Sequence, residues 1–128
     1  MEEKQKIKSF TDLVAWKEAH VLVLEVYKIT KNFPKEEQFG LTNQIRRAAI
    51  SITSNIAEGF SRNSSKEKVQ FYRTSLGSLA EAQNQLLIAK DIGYISSEVF
   101  TLVAHKTVRV SKLLNGLLKS AGSFGSYA

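Results

Sequence analysis

The chain has 128 residues, 43% of them hydrophobic and 23% charged, which is enough for one domain with a hydrophobic core and argues against wholesale disorder. It contains no cysteine, which excludes disulfides and thiol chemistry, and a single proline, which argues against an all-β fold with frequent turns. Eighteen Lys and Arg against 12 Asp and Glu give a formal net charge of +6, and such a charge attracts nucleic acid and other anionic partners.

The first predicted helix runs from Phe10 to Phe33, with Thr11 or Asp12 as its N-cap and Pro34 directly after its end. Its apolar residues cover more than the face of roughly 100° that a helix needs to pack on one partner. The helix therefore packs on its own subunit and on a neighbouring one, or it is the central helix of a monomer. The pattern alone leaves both interpretations open.

The second predicted helix runs from about Gly40 to Phe60 and carries two stripes at spacings of three and four. The apolar stripe, which we expect in the core, consists of Leu41, Ile45, Ala48, Ile52 and Ile56. The other stripe, called the polar ridge below, consists of Gln44, Arg47, Ser51, Asn55, Glu58 and Arg62. The polar ridge forms a hydrogen-bonded network between helices or subunits, or it is the solvated face of an amphipathic helix.

A capping box of Ser64 and Glu67 predicts that the third helix starts at Ser65, and it should end near Ile92. Gly93 after it suits a left-handed C-terminal stop. We expect Val69, Tyr72, Leu76, Leu79, Leu86 and Leu87 on its apolar face, beside a strip of small residues formed by Ser75, Ser78, Ala82 and Ala89.

The fourth predicted helix begins after Ser96 or Ser97 and ends at about Lys119. Its apolar residues are Val99, Leu102, Val103, Val110, Leu113, Leu114, Leu117 and Leu118. Four helices with short connections predict an all-α, up-down-up-down four-helix bundle over residues 10–119. A basic N-terminal arm, residues 1–9 with Lys4, Lys6 and Lys8, precedes it, and a flexible tail, residues 120–128, follows.

Catalytic patterns are weak in this sequence. His20 and His105 lie on different helices and neither belongs to a metal-binding pair, and no glycine-rich phosphate loop follows a strand. We therefore predict no catalytic, cofactor or metal site; a hydrolase that uses Glu58 and a histidine is the minor alternative. The charged N-terminus and the lack of a long uncharged run predict a cytoplasmic protein without a membrane partner.

Basic residues are better organised than catalytic ones. After Glu98 the sequence contains no acidic residue, so the last helix carries only basic charges beyond its first turn. Such a helix can neutralise phosphates without reading bases, or it is a solvated face that maintains solubility. The candidate nucleic-acid contacts are Arg46, Arg47, Arg62, Lys66, Arg73, Lys106, Arg109 and Lys112.

The stretch from Pro34 to Gly59 reads PKEEQFGLTNQIRRAAISITSNIAEG and resembles the bacterial four-helix-bundle family encoded within intervening sequences of 23S rRNA genes. FGL, QIRRA and NIAEG at these spacings carry the resemblance, which extends from Phe10 to about Lys119. Thr53 stands where the family often has proline, and it keeps the second helix unbroken. The resemblance implies a ring-like homopentamer and no established catalytic residue. The family is also similar to the basic pentameric accessory variability proteins of diversity-generating retroelements, which bind nucleic acid and partner a reverse transcriptase.

Two hypotheses of function follow from these observations. The first is a non-enzymatic homo-oligomer that binds RNA or DNA backbone through basic helix faces. The alternative is a scaffold or accessory factor for another polypeptide, such as a reverse transcriptase, in which the charge serves solubility.

Overall fold

A computed structural model describes residues 6–126 of the chain, apart from the side chains of residues 123–126. These residues form four α-helices: α1 (Val14–Thr30), α2 (Leu41–Ser61), α3 (Ser65–Asp91) and α4 (Ser97–Ser126). Short 3-10 turns, Phe10–Asp12 and Lys35–Glu37, precede α1 and α2, and no strand occurs in this part of the chain. The predicted all-α fold is confirmed. Residues 1–5, including Lys4 of the predicted basic arm, and residues 127–128 lie outside the described range.

The first helix begins later than the sequence predicts. Ser9 rather than Thr11 or Asp12 is the first N-cap, and it caps the 3-10 turn in a capping box with Asp12. The Asp12 carboxylate accepts the backbone N–H groups of Lys8 and Ser9 at 2.9 and 3.0 Å, and these bonds hold the pKa of Asp12 below its ordinary value. α1 then starts without a side-chain cap and ends at Thr30, three residues before the predicted Phe33.

Small side chains let α2 and α3 pack closely. Ser75 is fully buried in α3, and its hydroxyl donates to the Ile52 carbonyl of α2 at 2.8 Å. Beyond the end of α2, the Ser64 hydroxyl accepts the Glu67 N–H at 3.1 Å, so Ser64 is the N-cap of α3 as predicted. The same hydroxyl donates to the Glu67 carboxylate. The Lys68 ammonium donates to the carbonyls of Gly59 and Phe60 and so satisfies the C-terminus of α2.

The predicted stop after α3 is confirmed, because Gly93 takes a φ of +88°. The predicted end of the last helix near Lys119 is too early, since α4 continues to Ser126. Residues 120–126 of the predicted tail are therefore helical. Ala121 packs into the protein at 9% exposure, so the first turn beyond Lys119 has a packing partner.

The core lies on the inner faces of all four helices, and α1 packs on α2 and α4 while α3 packs on the same two. The predicted apolar stripe of α2 supplies it with Ile45, Ala48, Ile52 and Ile56, each at most 3% exposed. Two residues predicted for apolar faces are instead exposed, Leu87 at 45% and Leu102 at 66%. Both lie outside the buried face of their helix, whereas their sequence neighbours Leu86 and Val103 lie within that face and are buried.

Candidate nucleic-acid interface

The eight candidate cations do not form one continuous surface. Two of them, Lys66 and Arg73, line a cleft of about 640 Å³ between α3 and Gly122 near the end of α4. Both side chains are exposed, and neither forms an ion pair within the part of the chain that the structure describes. Seven residues apart on one helix, they lie about 10 Å apart along its axis. This spacing lets two cations contact two phosphates of one nucleic-acid strand or groove.

A second group lies along α4. His105, Arg109 and Lys112 line a groove of about 420 Å³ on this helix. The Arg109 Nε donates to Glu18 Oε1 of α1 at 2.6 Å, so one of the predicted contacts is already engaged in an ion pair. Lys112 is exposed, whereas Lys106 is half-buried toward a different side of α4. Of the three candidate contacts on α4, Lys112 is therefore free, Arg109 is paired and Lys106 is partly shielded.

The three arginines at α2 have different surroundings. Arg46 is half-buried against α1, where its Nε donates to Thr30 Oγ1 at 2.8 Å and its guanidinium lies 4.5 Å from the centre of the Tyr27 ring. Arg62 forms a 2.8 Å ion pair with Glu58 and stacks 4.7 Å from the centre of a ring of α3, that of Phe71. These contacts give both arginines structural roles.

Arg47, next to Arg46 in sequence, is exposed and forms no ion pair with any described residue. The difference follows from the rotation of 100° per residue, which directs neighbouring side chains to different sides of a helix. Of the pair, Arg47 is the one available for an anion.

The polar ridge combines both interpretations that the sequence leaves open. Ser51 Oγ and Ser78 Oγ lie 2.8 Å apart across the α2–α3 interface, and the Asn55 amide donates to the Ser51 carbonyl and hydroxyl. This half of the ridge is a hydrogen-bonded network within the subunit. Gln44 and Arg47 at the other end are exposed and have no such partners among the described residues.

The histidines and carboxylates do not assemble a catalytic group within residues 6–122. His20 stacks on Trp16 with 4.7 Å between ring centres, and His105 is exposed. No three metal-ligating side chains come together in this part of the chain.

The Glu37 carboxylate accepts from the Leu41 N–H at 3.1 Å and from the Tyr94 hydroxyl at 2.8 Å. Both bonds lower the pKa of Glu37, and the bond from the Leu41 N–H has the larger effect. The bond between Tyr94 and Glu37 raises the pKa of Tyr94.

Two residues that the sequence interpretation missed lie beside Arg47. Phe39 is 87% exposed in the turn before α2, and Gln85 of α3 is 6% exposed without a hydrogen-bond donor to its Oε1. The sequence holds a signal for each. Phe39 is a large apolar residue in a charged turn, and Gln85 interrupts a buried stripe between Ala82 and Ala89.

Fold and surface together define a small, all-α, four-helix protein with separate basic faces on its outside. The chain belongs to the family of 23S rRNA-intervening sequence proteins, whose family model matches residues 11–116. The resemblance seen in the FGL, QIRRA and NIAEG motifs is thereby confirmed.

Six chains of solved structures match this fold. One is the crystal structure of a protein of unknown function from the S23 ribosomal protein family of Bacteroides thetaiotaomicron, with a TM-score of 0.77 and 21% identity. The match covers 83% of this chain and 96% of that one, and at this identity it shows a common fold. No curated protein sequence matches the chain. Among the described residues, no helix has both the length and the apolar character to cross a membrane.

Proposed function

We propose that this protein is a non-enzymatic, cytoplasmic homo-oligomer that binds the backbone of RNA or DNA through basic helix faces. The observation that carries the proposal is the cleft beside α3, where Lys66 and Arg73 are exposed and free of ion pairs with described residues. A helix α4 without acidic residues after Glu98 adds Lys112 outside this cleft. Unpaired cations bind phosphates by releasing counterions, and this mechanism needs no base readout.

An up-down-up-down course of the helices is part of the proposal. Contacts between α2 and α3 join Ser51 to Ser78 and Ile52 to Ser75, so the contacting residues follow opposite orders along the two helices. The short connections between consecutive helices favour the same arrangement. In it, the start of α3 and the end of α4 lie at one end of the bundle, which agrees with Gly122 lining the cleft of Lys66.

The outer face of α1 supports self-association. Val14, Val21 and Leu24 are 52%, 43% and 57% exposed, and their spacings of seven and three are those of a helix–helix seam. No described part of the chain covers them, which favours packing of α1 on a neighbouring subunit over a place at the centre of a monomer. A ring of five subunits, implied by the family resemblance, would cover this face. Light scattering on a sizing column tests the assembly: a molar mass near 14.3 kDa would contradict it.

Charge reversal tests the nucleic-acid contact. Lys66→Glu with Arg73→Glu should weaken binding of a structured RNA or a DNA duplex by at least tenfold, because two phosphate contacts become repulsive. The matched control is Lys31→Glu with Lys35→Glu, which makes the same change of charge at exposed lysines outside the candidate set. Equal loss in both double variants would show a nonspecific charge effect and contradict the assignment.

Helix α4 is tested separately by reversing Lys106, Arg109 and Lys112 to Glu. We expect a strong loss of affinity, and unchanged affinity would remove α4 from the interface.

A protein-interaction scaffold, such as an accessory factor for a reverse transcriptase, is the second candidate, and the exposed apolar residues of α1 favour it. That function predicts a protein partner whose recovery survives nuclease treatment and negligible affinity for bare nucleic acid.

A further inference from the structure

The outer side of α1 carries a charge pattern as well as exposed apolar residues. Lys17 and Lys28 are exposed, and neither forms an ion pair with a described residue. Val21 and Leu24 lie between them along the helix, and at 100° per residue all four fall within about 60° of one another. These four residues, called the α1 face below, form an apolar patch with a lysine at each end. The two lysines are about 16.5 Å apart along the axis.

The outer side of α3 carries the opposite charges. Within residues 74–89, Glu81 is the only charged residue. Leu87 and Ile88 follow it and are 45% and 41% exposed, and Asp91 comes next with its side chain 72% exposed. Glu81, Leu87, Ile88 and Asp91, called the α3 face below, therefore form an apolar patch with a carboxylate at each end. The two carboxylates are about 15 Å apart along the axis, nearly the separation of the lysines.

The carboxylates of the α3 face are open to a cation from outside the subunit. Glu81 forms no ion pair with a described residue. Lys90 lies beside Asp91, but its Nζ is 4.9 Å from the centre of the Phe100 ring of α4 and 3.8 Å from Asp91 Oδ1. A contact this long leaves most of the Asp91 carboxylate without a partner.

A groove beside Leu87 gives the α3 face room for an aliphatic side chain. Its volume is about 250 Å³, and α4 contributes Phe100 and Val108 to its lining. The two polar residues of the lining satisfy each other, because the Gln83 amide donates to Thr107 Oγ1 at 3.1 Å. The groove is therefore suited to an apolar side chain.

Charge decides which faces can meet. Two copies of the α1 face in contact would place lysines against lysines, and two copies of the α3 face would place carboxylates against carboxylates. Like charges in contact oppose association, whereas an α1 face on an α3 face pairs opposite charges at both ends. One subunit can use both faces at once, since α1 and α3 lie at opposite corners and each packs on α2 and α4.

The positions along the two helices also match when the helices are parallel. Leu24 lies four residues before Lys28, and Leu87 lies four residues before Asp91. With Lys28 beside Asp91, Leu24 is therefore level with Leu87 and its groove, and the other lysine approaches the other carboxylate. The proposed up-down-up-down course makes α1 and α3 parallel within a subunit, so copies related by rotation about the bundle direction keep them parallel.

We propose that the α3 face of one subunit is the docking site for the α1 face of a second copy of the chain. Because the two faces differ, the contact is heterologous and repeats from copy to copy, and it closes into a ring when the rotation between copies permits. The inference rests on the proposed self-association and adds the surface that receives α1.

Two variants, each damaged on one face, test the contact by light scattering on a sizing column. Leu24→Asp damages the α1 face and Leu87→Asp the α3 face, both at exposed positions. Each variant alone should be a monomer, whereas the wild type should exceed the mass of two chains. An equal mixture at high concentration should form a dimer and nothing larger, because each partner keeps one intact face. The matched control is Ile50→Asp, at an exposed position of α2 outside both faces, which should assemble like the wild type.

A charge exchange tests the pairing itself. Lys28→Glu and Asp91→Lys should each weaken assembly by about three- to tenfold, because an attraction becomes a repulsion. The two changes in one chain should restore most of the loss, since the pair re-forms with its signs exchanged. Asp91→Lys with Lys35→Glu is the control: it has the same net charge as the exchange but leaves the interface unpaired, and it should not be restored.

The outcomes separate this inference from the self-association on which it rests. If Leu24→Asp is a monomer while Leu87→Asp keeps the wild-type mass, the α3 face is the wrong surface, although α1 still mediates assembly. A mixture of the two variants that stays monomeric, or a wild type that stops at a dimer, would also overturn the heterologous contact. If the wild type is itself a monomer, both proposals are wrong.

Discussion

Two glycines within helices differ in what surrounds them. A Cβ on Gly59 of α2 would lie 2.6 Å from Tyr72 Cε1 and 3.2 Å from Phe71 Cβ, both in α3. A Cβ on Gly77 of α3 would meet nothing within 4 Å. Gly59 therefore allows the close approach of α3, whereas Gly77 only lowers helix propensity.

This contrast predicts opposite effects of one substitution. Gly59→Ala should lower the free energy of unfolding by about 1–3 kcal/mol, since the buried Tyr72 ring must shift. Gly77→Ala should raise it by roughly 0.5–1 kcal/mol. Urea denaturation of both variants measures the difference. Destabilisation of similar size in both would contradict the packing assigned to Gly59.

Glu37 makes stability depend on pH. Its hydrogen bonds from Leu41 and Tyr94 lower its pKa in the folded state from the ordinary 4.5. The ionised Glu37 carboxylate thus stabilises the folded state at pH values above its unfolded-state pKa, and this stabilisation is lost as the pH falls through its lower folded-state pKa. We expect the wild-type protein to melt above Glu37→Gln at pH 7, and this gap to shrink as the pH falls from about 5 to 3.

Thermal melts at several pH values check this prediction. Glu36→Gln is the control, because it removes a neighbouring exposed carboxylate that accepts no hydrogen bond from a described residue. A melting difference between wild type and Glu37→Gln that stays constant over this pH range would contradict the role of the ionised carboxylate.

At the scale of the helices, the ion pair between α1 and α4 competes with anion binding. The Glu18 carboxylate occupies the Arg109 Nε and offsets its charge, which weakens the attraction of Arg109 for a phosphate. An exposed pair of this kind stabilises the protein by only about 0.2–1 kcal/mol. Glu18→Gln should therefore leave stability nearly unchanged while raising nucleic-acid affinity up to about fivefold.

Glu25→Gln is the matched control for this experiment. It removes one acidic charge from the same helix, but no cation is paired with Glu25 among the described residues. Titrations of RNA with both variants separate release of Arg109 from the general rise in net charge. Equal affinities of the two variants would show that Arg109 does not contact nucleic acid.

Helix positions could be predicted from the sequence because they depend on local signals. The stripe of Ile45, Ile52 and Ile56, the cap at Ser64 and the stop at Gly93 each act within a few residues. The helical extension beyond Lys119 could not be predicted, since the serines and glycines that make up most of it have low helix propensity. The extension packs on the rest of the protein through Ala121, and this contact depends on tertiary structure.

The candidate site was less predictable because its residues depend on contacts between distant parts of the chain. The partner of Arg109 is 91 residues away, and no local pattern indicates it. Helical phase could have separated Arg46 from Arg47, yet only the contacts with Thr30 and Tyr27 show that Arg46 is engaged. That Gln85 Oε1 is buried without a hydrogen-bond donor likewise follows only from the packing of α2 and α3.

On the scale of the whole molecule, the proposed self-association seam and the proposed phosphate contacts lie on different helices. Val14, Val21 and Leu24 form the seam on α1, whereas Lys66 and Arg73 lie on α3 and Lys112 lies on α4. A protein with this division can associate through one face while another meets a polyanion. The net charge of +6 then draws nucleic acid to each subunit of an assembly.

The measurement that tests nucleic-acid binding most directly is the salt dependence of affinity. Fluorescence anisotropy of a structured RNA and a matched DNA duplex, titrated with the protein from 50 to 200 mM salt, gives the slope of log K against log salt. Contacts by Lys66, Arg73 and Lys112 alone predict a slope of about −2 or steeper. No binding at the lowest salt, or an affinity that does not change with salt, would contradict binding through phosphate contacts and leave the basic faces as solvated surface.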